Sequence, residues 1–232
     1  MLGFDHARYR AQAATRPALS QGPDPQTKAR TGADRVPTES RKDMPVSASD
    51  VPVTPVAAER AVALLRSLGA AAVAHPGGTL LAHLTRVQGL LAAWGARPAL
   101  QRAGLCHAFY GTDGFPGALL PTDRRAELTA AIGAEAEALV YLYASCDRRA
   151  TYPGLADADG PFHDRFTGLS HVPGPQARRD FAELSAANEV DLARTDPAFR
   201  DAWGPGLLSL FTRIHPLLSG PAWTSCQEAF GR

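Results

Sequence analysis

From Val56 to the end of the chain, apolar residues recur every three or four positions, the period of one face of an α-helix. The clearest case is TLLAHLTRVQGLLAAWG, where Leu80, Leu81, Leu84, Val87, Leu90, Leu91 and Trp94 form one stripe. Thr79 is placed to cap its start and Gly95 to end it. AAERAVALLRSLG repeats the pattern with Val62, Leu65 and Leu68 and stops at Gly69. Pro98 suits the first turn of a third helix, PALQRAGLCHAFY. PTDRRAELTAAIG, with Thr122 as its cap, and AEAEALVYLYASC predict a fourth and a fifth. QARRDFAELSAANEVDLART reads as a strongly amphipathic sixth helix and GLLSLFTRIHPLLSG as the last. No stretch shows strand-like alternation or a hairpin turn signal, and no internal repeat is visible. The expected fold is all-α.

Two segments escape the helical period. Residues 1–54 are rich in Pro, Ser, Thr, Asp and Arg and carry too little apolar surface to offset the entropy of ordering. They are expected to be a disordered tail before a single domain over residues 55–232, with Met44 as an alternative start. Residues 147–175 read as a polar loop rich in Asp, Gly, Pro and His, long enough to suggest a functional role.

Composition narrows the function. With 24 basic and 23 acidic residues the net charge is +1, which argues against a dedicated nucleic-acid partner. Only Lys28 and Lys42 are lysines, so residues 43–232 exclude both a Schiff-base lysine and a P-loop lysine. The emphasis on Ala, Arg, Gly and Pro fits a GC-rich bacterial genome. Cys106, Cys146 and Cys226 are odd in number and widely spaced, against a disulfide framework or a Cys-rich zinc site. The first twenty residues have no apolar core of a secretory signal, and no run is long enough to span a membrane. The expectation is a cytoplasmic protein with a small-molecule partner, with no nucleic acid and no membrane, its oligomeric state open.

Five of the seven histidines fall between His75 and His171. His83 and His107 stand 24 residues apart, on two helices joined by one short turn. Antiparallel neighbours of that kind bring such side chains together, and a facing imidazole pair is a common start for a transition-metal site. The other reading is two buried histidines sharing a hydrogen-bond network. His75 is either a loop residue or a pocket residue. His163 and His171 are expected to be solvated and His215 to lie in the core. Cys106 neighbours His107, but consecutive helical residues point about 100° apart, so a Cys–His pair is not expected.

HLTRVQGLLAAWGARPALQRAGLCHAFYGT, from His83 to Thr112, resembles the HD superfamily of metal-dependent phosphohydrolases. AGLCHAFYGTDGF is closer still to AGLxHxxYGTxxF, a signature of an uncharacterised HD-like family. The resemblance covers about residues 60–195 and implies an all-α HD-like bundle around a divalent metal (Fe, Mn or Zn). His83 and His107 match the two superfamily histidines as metal ligands or acid–base groups. Ala108 stands where the paired aspartate belongs, and Gly111 and Thr112 where some members carry catalytic acids. For the last carboxylate the resemblance offers Asp147 or Asp191, with Asn188 and Glu189 as neighbours. Asp147 is favoured because it pairs with Arg148 in a motif of the signature family. Tyr110 is the further candidate for a catalytic or polar contact, the alternative being packing at a helix end. Metal-dependent phosphoester hydrolysis is the nearest reaction. Iron-dependent oxygenation and a metal-free binding or scaffold module are its rivals.

Overall fold

The structure, a computed structural model, describes residues 55–231 apart from Pro116. The expected tail and the alternative start at Met44 lie outside the described residues. The chain forms α1 (Pro55–Ser67), a two-stranded ribbon of β1 (Ala74–His75) and β2 (Gly78–Thr79), α2 (Leu80–Ala93) and α3 (Pro98–Cys106). Then come α4 (Arg125–Ile132), α5 (Ala134–Ser145), the short α6 (Arg148–Thr151), and a second ribbon of β3 (Phe162–His163) and β4 (Ser170–His171). Helices α7 (Pro175–Thr195), α8 (Pro197–Arg213) and α9 (Gly220–Phe230) complete the bundle. The all-α expectation holds for the described residues.

The stripe on α2 buries Leu80, Leu84, Val87 and Leu91, and α3 lies against it. Gly104 makes the close approach possible: a Cβ there would stand 2.4 Å from Leu91 Cδ1. Thr79 caps α2 by accepting from the Ala82 amide, as expected.

Helix α7 departs from its amphipathic reading. Asp180 through Ala193 are all buried, whichever way they face. Helices α2, α3, α5, α8 and α9 pack around it. Its buried charged residues meet other elements of the protein rather than water.

Three further expectations need correction. Both ribbons are genuine antiparallel pairs, Ala74 with Thr79 and Phe162 with His171, but two-residue strands are too short to show alternation. The loop after residue 147 is partly ordered by α6 and the second ribbon, and Arg178 holds the carbonyls of Leu155, Ala158 and Gly160. Finally, Pro205 lies inside α8 rather than before it, and the chain then forms α9, capped by Ser219 through the Ala222 amide. His215 therefore falls between helices, exposed, with its ring 4.7 Å from that of Trp223.

Gly104→Ala should lower unfolding free energy by about 1–3 kcal/mol in a denaturant titration, because Leu91 is fully buried and has little room to yield. Adding Leu91→Ala should give a combined loss smaller than the sum of the two single losses, the mark of direct contact.

Candidate functional site

His83 projects from the first turn of α2, and His107 directly follows α3. The tight packing of these helices brings both rings into the interior, 1% and 2% exposed. Their Nε2 atoms face one another at 3.4 Å, and the rings meet edge to face.

The other nitrogen of each ring is anchored. His107 Nδ1 is 2.8 Å from the Gly104 carbonyl oxygen, which only accepts, so Nδ1 carries the hydrogen. His83 Nδ1 donates to Asp191 Oδ2 at 2.6 Å. Asp191 in turn accepts two bonds from Arg86, at 2.6 and 3.0 Å. Burial works against the Asp191 anion, yet the bonds from His83 and Arg86 outweigh it and hold the carboxyl below its usual range. Burial, reinforced by the neighbouring His83, pushes His107 down to about 3. His107 is therefore a neutral imidazole with its Nε2 lone pair aimed at His83.

Asn188 on α7 supplies the third polar atom, its Oδ1 lying 3.1 Å from His83 Nε2. Its Nδ2 donates the other way, to Glu189 Oε1 at 3.2 Å. Wherever His83 Nε2 carries no hydrogen, three acceptor atoms converge: two imidazole nitrogens and an amide oxygen. Their mutual repulsion is relieved either by a cation between them or by a proton on His83 Nε2 shared with Asn188.

Around this cluster lie His75, Leu80, Ala108, Thr112, Phe115 and Leu192. The free space at the centre is about 20 Å³, room for about one water-sized group. His75 belongs to the pocket, its ring stacked on His83 at 4.1 Å. It is carried there by the first ribbon, whose Pro76 and Gly77 carbonyls accept from Arg86. Gly77 sits at φ +73°, and a Cβ on it would stand 2.7 Å from Thr195 Cβ. No other residue fits that turn against α7.

The remaining expected site residues fall elsewhere. Asp147 does not join the histidines: it caps α6 by accepting from the Ala150 amide, and Asp191 is the carboxylate bound to the pair. Arg148, next along the chain, turns inward instead and meets Glu189 at 3.1 Å and the Tyr143 hydroxyl at 2.9 Å. Burial pushes Glu189 upward, against the pull of Arg148. Tyr110 takes the packing role, donating to Glu137, which also binds Arg125. Thr112 caps its own turn through the Phe115 amide while lining the pocket. His163 pairs with Ser170 and His171 is exposed, both on the second ribbon. Cys106 is a core residue whose thiol is pushed up by burial. Arg86 escaped the sequence reading, although its place three residues after His83 on one helix face was a usable signal.

Among the described residues no three His, Cys, Asp or Glu side chains gather as a metal-holding group. The reason is local: Asp191 binds the far nitrogen of His83, and Ala108 and Asn188 stand in the pocket itself. Nor is any described helix long and apolar enough to cross a membrane.

In comparisons with known proteins, residues 64–148 match the family model of a domain of unknown function, DUF6817. The matched stretch holds His75, His83, His107, Ala108 and Arg148, and ends before Asn188, Glu189 and Asp191. No curated protein and no solved structure matches the chain.

Two outcomes follow from this geometry. Long-range ¹H–¹⁵N spectra should show His107 as the Nδ1–H tautomer, without titration between about pH 5 and 8 where an ordinary histidine changes charge. Asp147→Ala and Tyr110→Phe should each cost about 1 kcal/mol of stability, as a lost cap and a lost hydrogen bond, and leave the His83 and His107 signals in place.

Proposed function

We propose that the protein is a metal-dependent enzyme acting on a small molecule, with one divalent first-row ion held by His83 Nε2, His107 Nε2 and Asn188 Oδ1. The observation that carries this reading is the pair of Nε2 atoms 3.4 Å apart, each on a ring whose Nδ1–H is tied down. Two nitrogens bound to one tetrahedral ion at ordinary bond lengths stand about 3.3–3.4 Å apart. Anchoring the opposite ring nitrogen is also how proteins aim a metal-binding imidazole.

Metal-dependent phosphoester hydrolysis is the nearest reaction, in keeping with the resemblance to HD phosphohydrolases. The ion would supply Lewis acidity and a water ionised near neutral pH. Asp191 and Gly104 hold the two imidazoles in the required tautomer. Leu80, Phe115, Leu192 and the His75 ring limit entry of bulk water, and Thr112 contributes polar lining. The same donor set also suits iron, so iron-dependent oxidation is the rival chemistry.

A second reading, a metal-free binding module, draws on the lining itself. Ala108 and Asn188 stand where a carboxylate would strengthen metal binding, and the nine residues lining the pocket include no Asp or Glu.

Metal analysis of the purified full chain separates these. The expected result is near-stoichiometric iron, manganese or zinc, lost in His83→Ala and in His107→Ala while circular dichroism still reports a folded helical protein. Iron as the sole metal, with oxygen uptake on turnover, would move the chemistry to oxidation. A protein that takes up none of the three ions, and whose histidine variants lose only stability, overturns the enzyme reading.

A further inference from the structure

We propose that Arg148 and Glu189 are positioning residues that determine which end of the Asn188 side chain faces the histidine pair. The inference rests on the metal reading above and concerns how the third ligand is aimed.

An asparagine amide has two ends of nearly equal shape and opposite chemistry. Its oxygen can bind a cation, and its NH₂ group can only donate hydrogen bonds. At Asn188 the orientation matters, because His83 Nε2 lies 3.1 Å from the end that faces it. With Nδ2 turned inward, the amide would donate to that nitrogen. The lone pair would be consumed and the cluster closed as a neutral hydrogen-bond network.

Glu189 works against that turn. Its Oε1 accepts from Asn188 Nδ2 at 3.2 Å, and reversing the amide would set two oxygens against each other. Arg148 holds this carboxylate in place, donating to the same Oε1 at 3.1 Å. Arg148 is itself fixed by its bond to the Tyr143 hydroxyl at 2.9 Å, and by its backbone N–H on Asp113 Oδ2 at 3.2 Å. Arg148 and Glu189 are each 2% exposed, so bulk water has little access to replace either partner. A buried ion pair adds little net stability over apolar side chains of similar size. Orienting a ligand is a use for which apolar residues would not serve. Tyr143 carries the effect further, since its ring packs edge-on against His107 at 5.3 Å.

Cobalt(II) and zinc(II) titrations of the metal-stripped full chain test this. The variant Arg148→Met/Glu189→Met removes the pair without leaving a lone buried charge, so the fold should persist. Its affinity should fall about 10–100-fold, the usual cost of losing a partner behind a ligand, and the visible spectrum of bound cobalt should change. Adding Asn188→Asp to that variant should recover most of the affinity, because a carboxylate presents an oxygen whichever way it turns. Should the double variant unfold, the wild type gives the answer by NMR. The Asn188 amide hydrogens should show NOEs to the Glu189 methylenes and none to His83 Hε1.

Wild-type cobalt binding and spectrum retained in the double variant would overturn the inference alone. So would a loss that Asn188→Asp does not recover, or NOEs of the reverse pattern. A wild type that binds neither ion overturns the underlying metal reading, and this inference with it.

Discussion

Asp180, Glu183, Glu189 and Asp191 all lie on α7 and are all buried. A carboxylate removed from water is tolerated only where cations or donors replace its hydration. Each of these four therefore constrains another element. Asp180 accepts from Arg97, between α2 and α3. Glu183 receives the Ser219 hydroxyl at the start of α9. Glu189 binds Arg148 on α6, and Asp191 binds His83 and Arg86 on α2. A helix of this polarity would be solvated if isolated. Here its charges act as docking points that set where the surrounding helices can sit.

The site is a consequence of that arrangement. Arg86 grips Asp191 and, with its remaining donors, the carbonyls of the ribbon that carries His75. One side chain thereby links the anchor of His83 to the roof of the pocket. Close packing of α2 on α3, made possible by Gly104, puts His107 opposite His83, and the carbonyl of the same glycine fixes the His107 tautomer. Packing and protonation are set by the same few residues.

What was legible in the sequence follows from separation along the chain. His83 and His107 are 24 residues apart across one turn, so helical periodicity alone was enough to suggest that they meet. Asp191 reaches His83 over 108 residues and Asn188 over 105, a distance at which periodicity carries no information. The motif that Asp147 forms with Arg148 favours Asp147 on resemblance alone, whereas the carboxylate that meets His83 is Asp191. The reading of α7 erred for a related reason. Polar residues on a helix look alike whether they meet water or buried arginines, and the arginines that meet these, Arg86, Arg97 and Arg148, come from distant segments. The last expected helix, GLLSLFTRIHPLLSG, differs at both ends: the observed α8 runs from Pro197 through Pro205 to Arg213, and a separate α9 follows.

The charge balance of the pocket bears on what could occupy it. His107 is neutral, Asn188 is uncharged, and the two flanking carboxylates each face an arginine, Asp191 with Arg86 and Glu189 with Arg148. Ala108, in the lining, adds no charge. A divalent ion in this cradle would keep most of its charge in a buried space of about 20 Å³. The local carboxylates, already paired, would offset little of it. Such an ion would need an anionic partner to offset that charge. A neutral donor set thus binds a bare ion less strongly than a carboxylate set, and rewards the ion together with its anionic partner. On that account any cation taken up here would arrive with an anionic partner, since a lining of imidazoles, an amide, a hydroxyl and apolar side chains offers it no carboxylate.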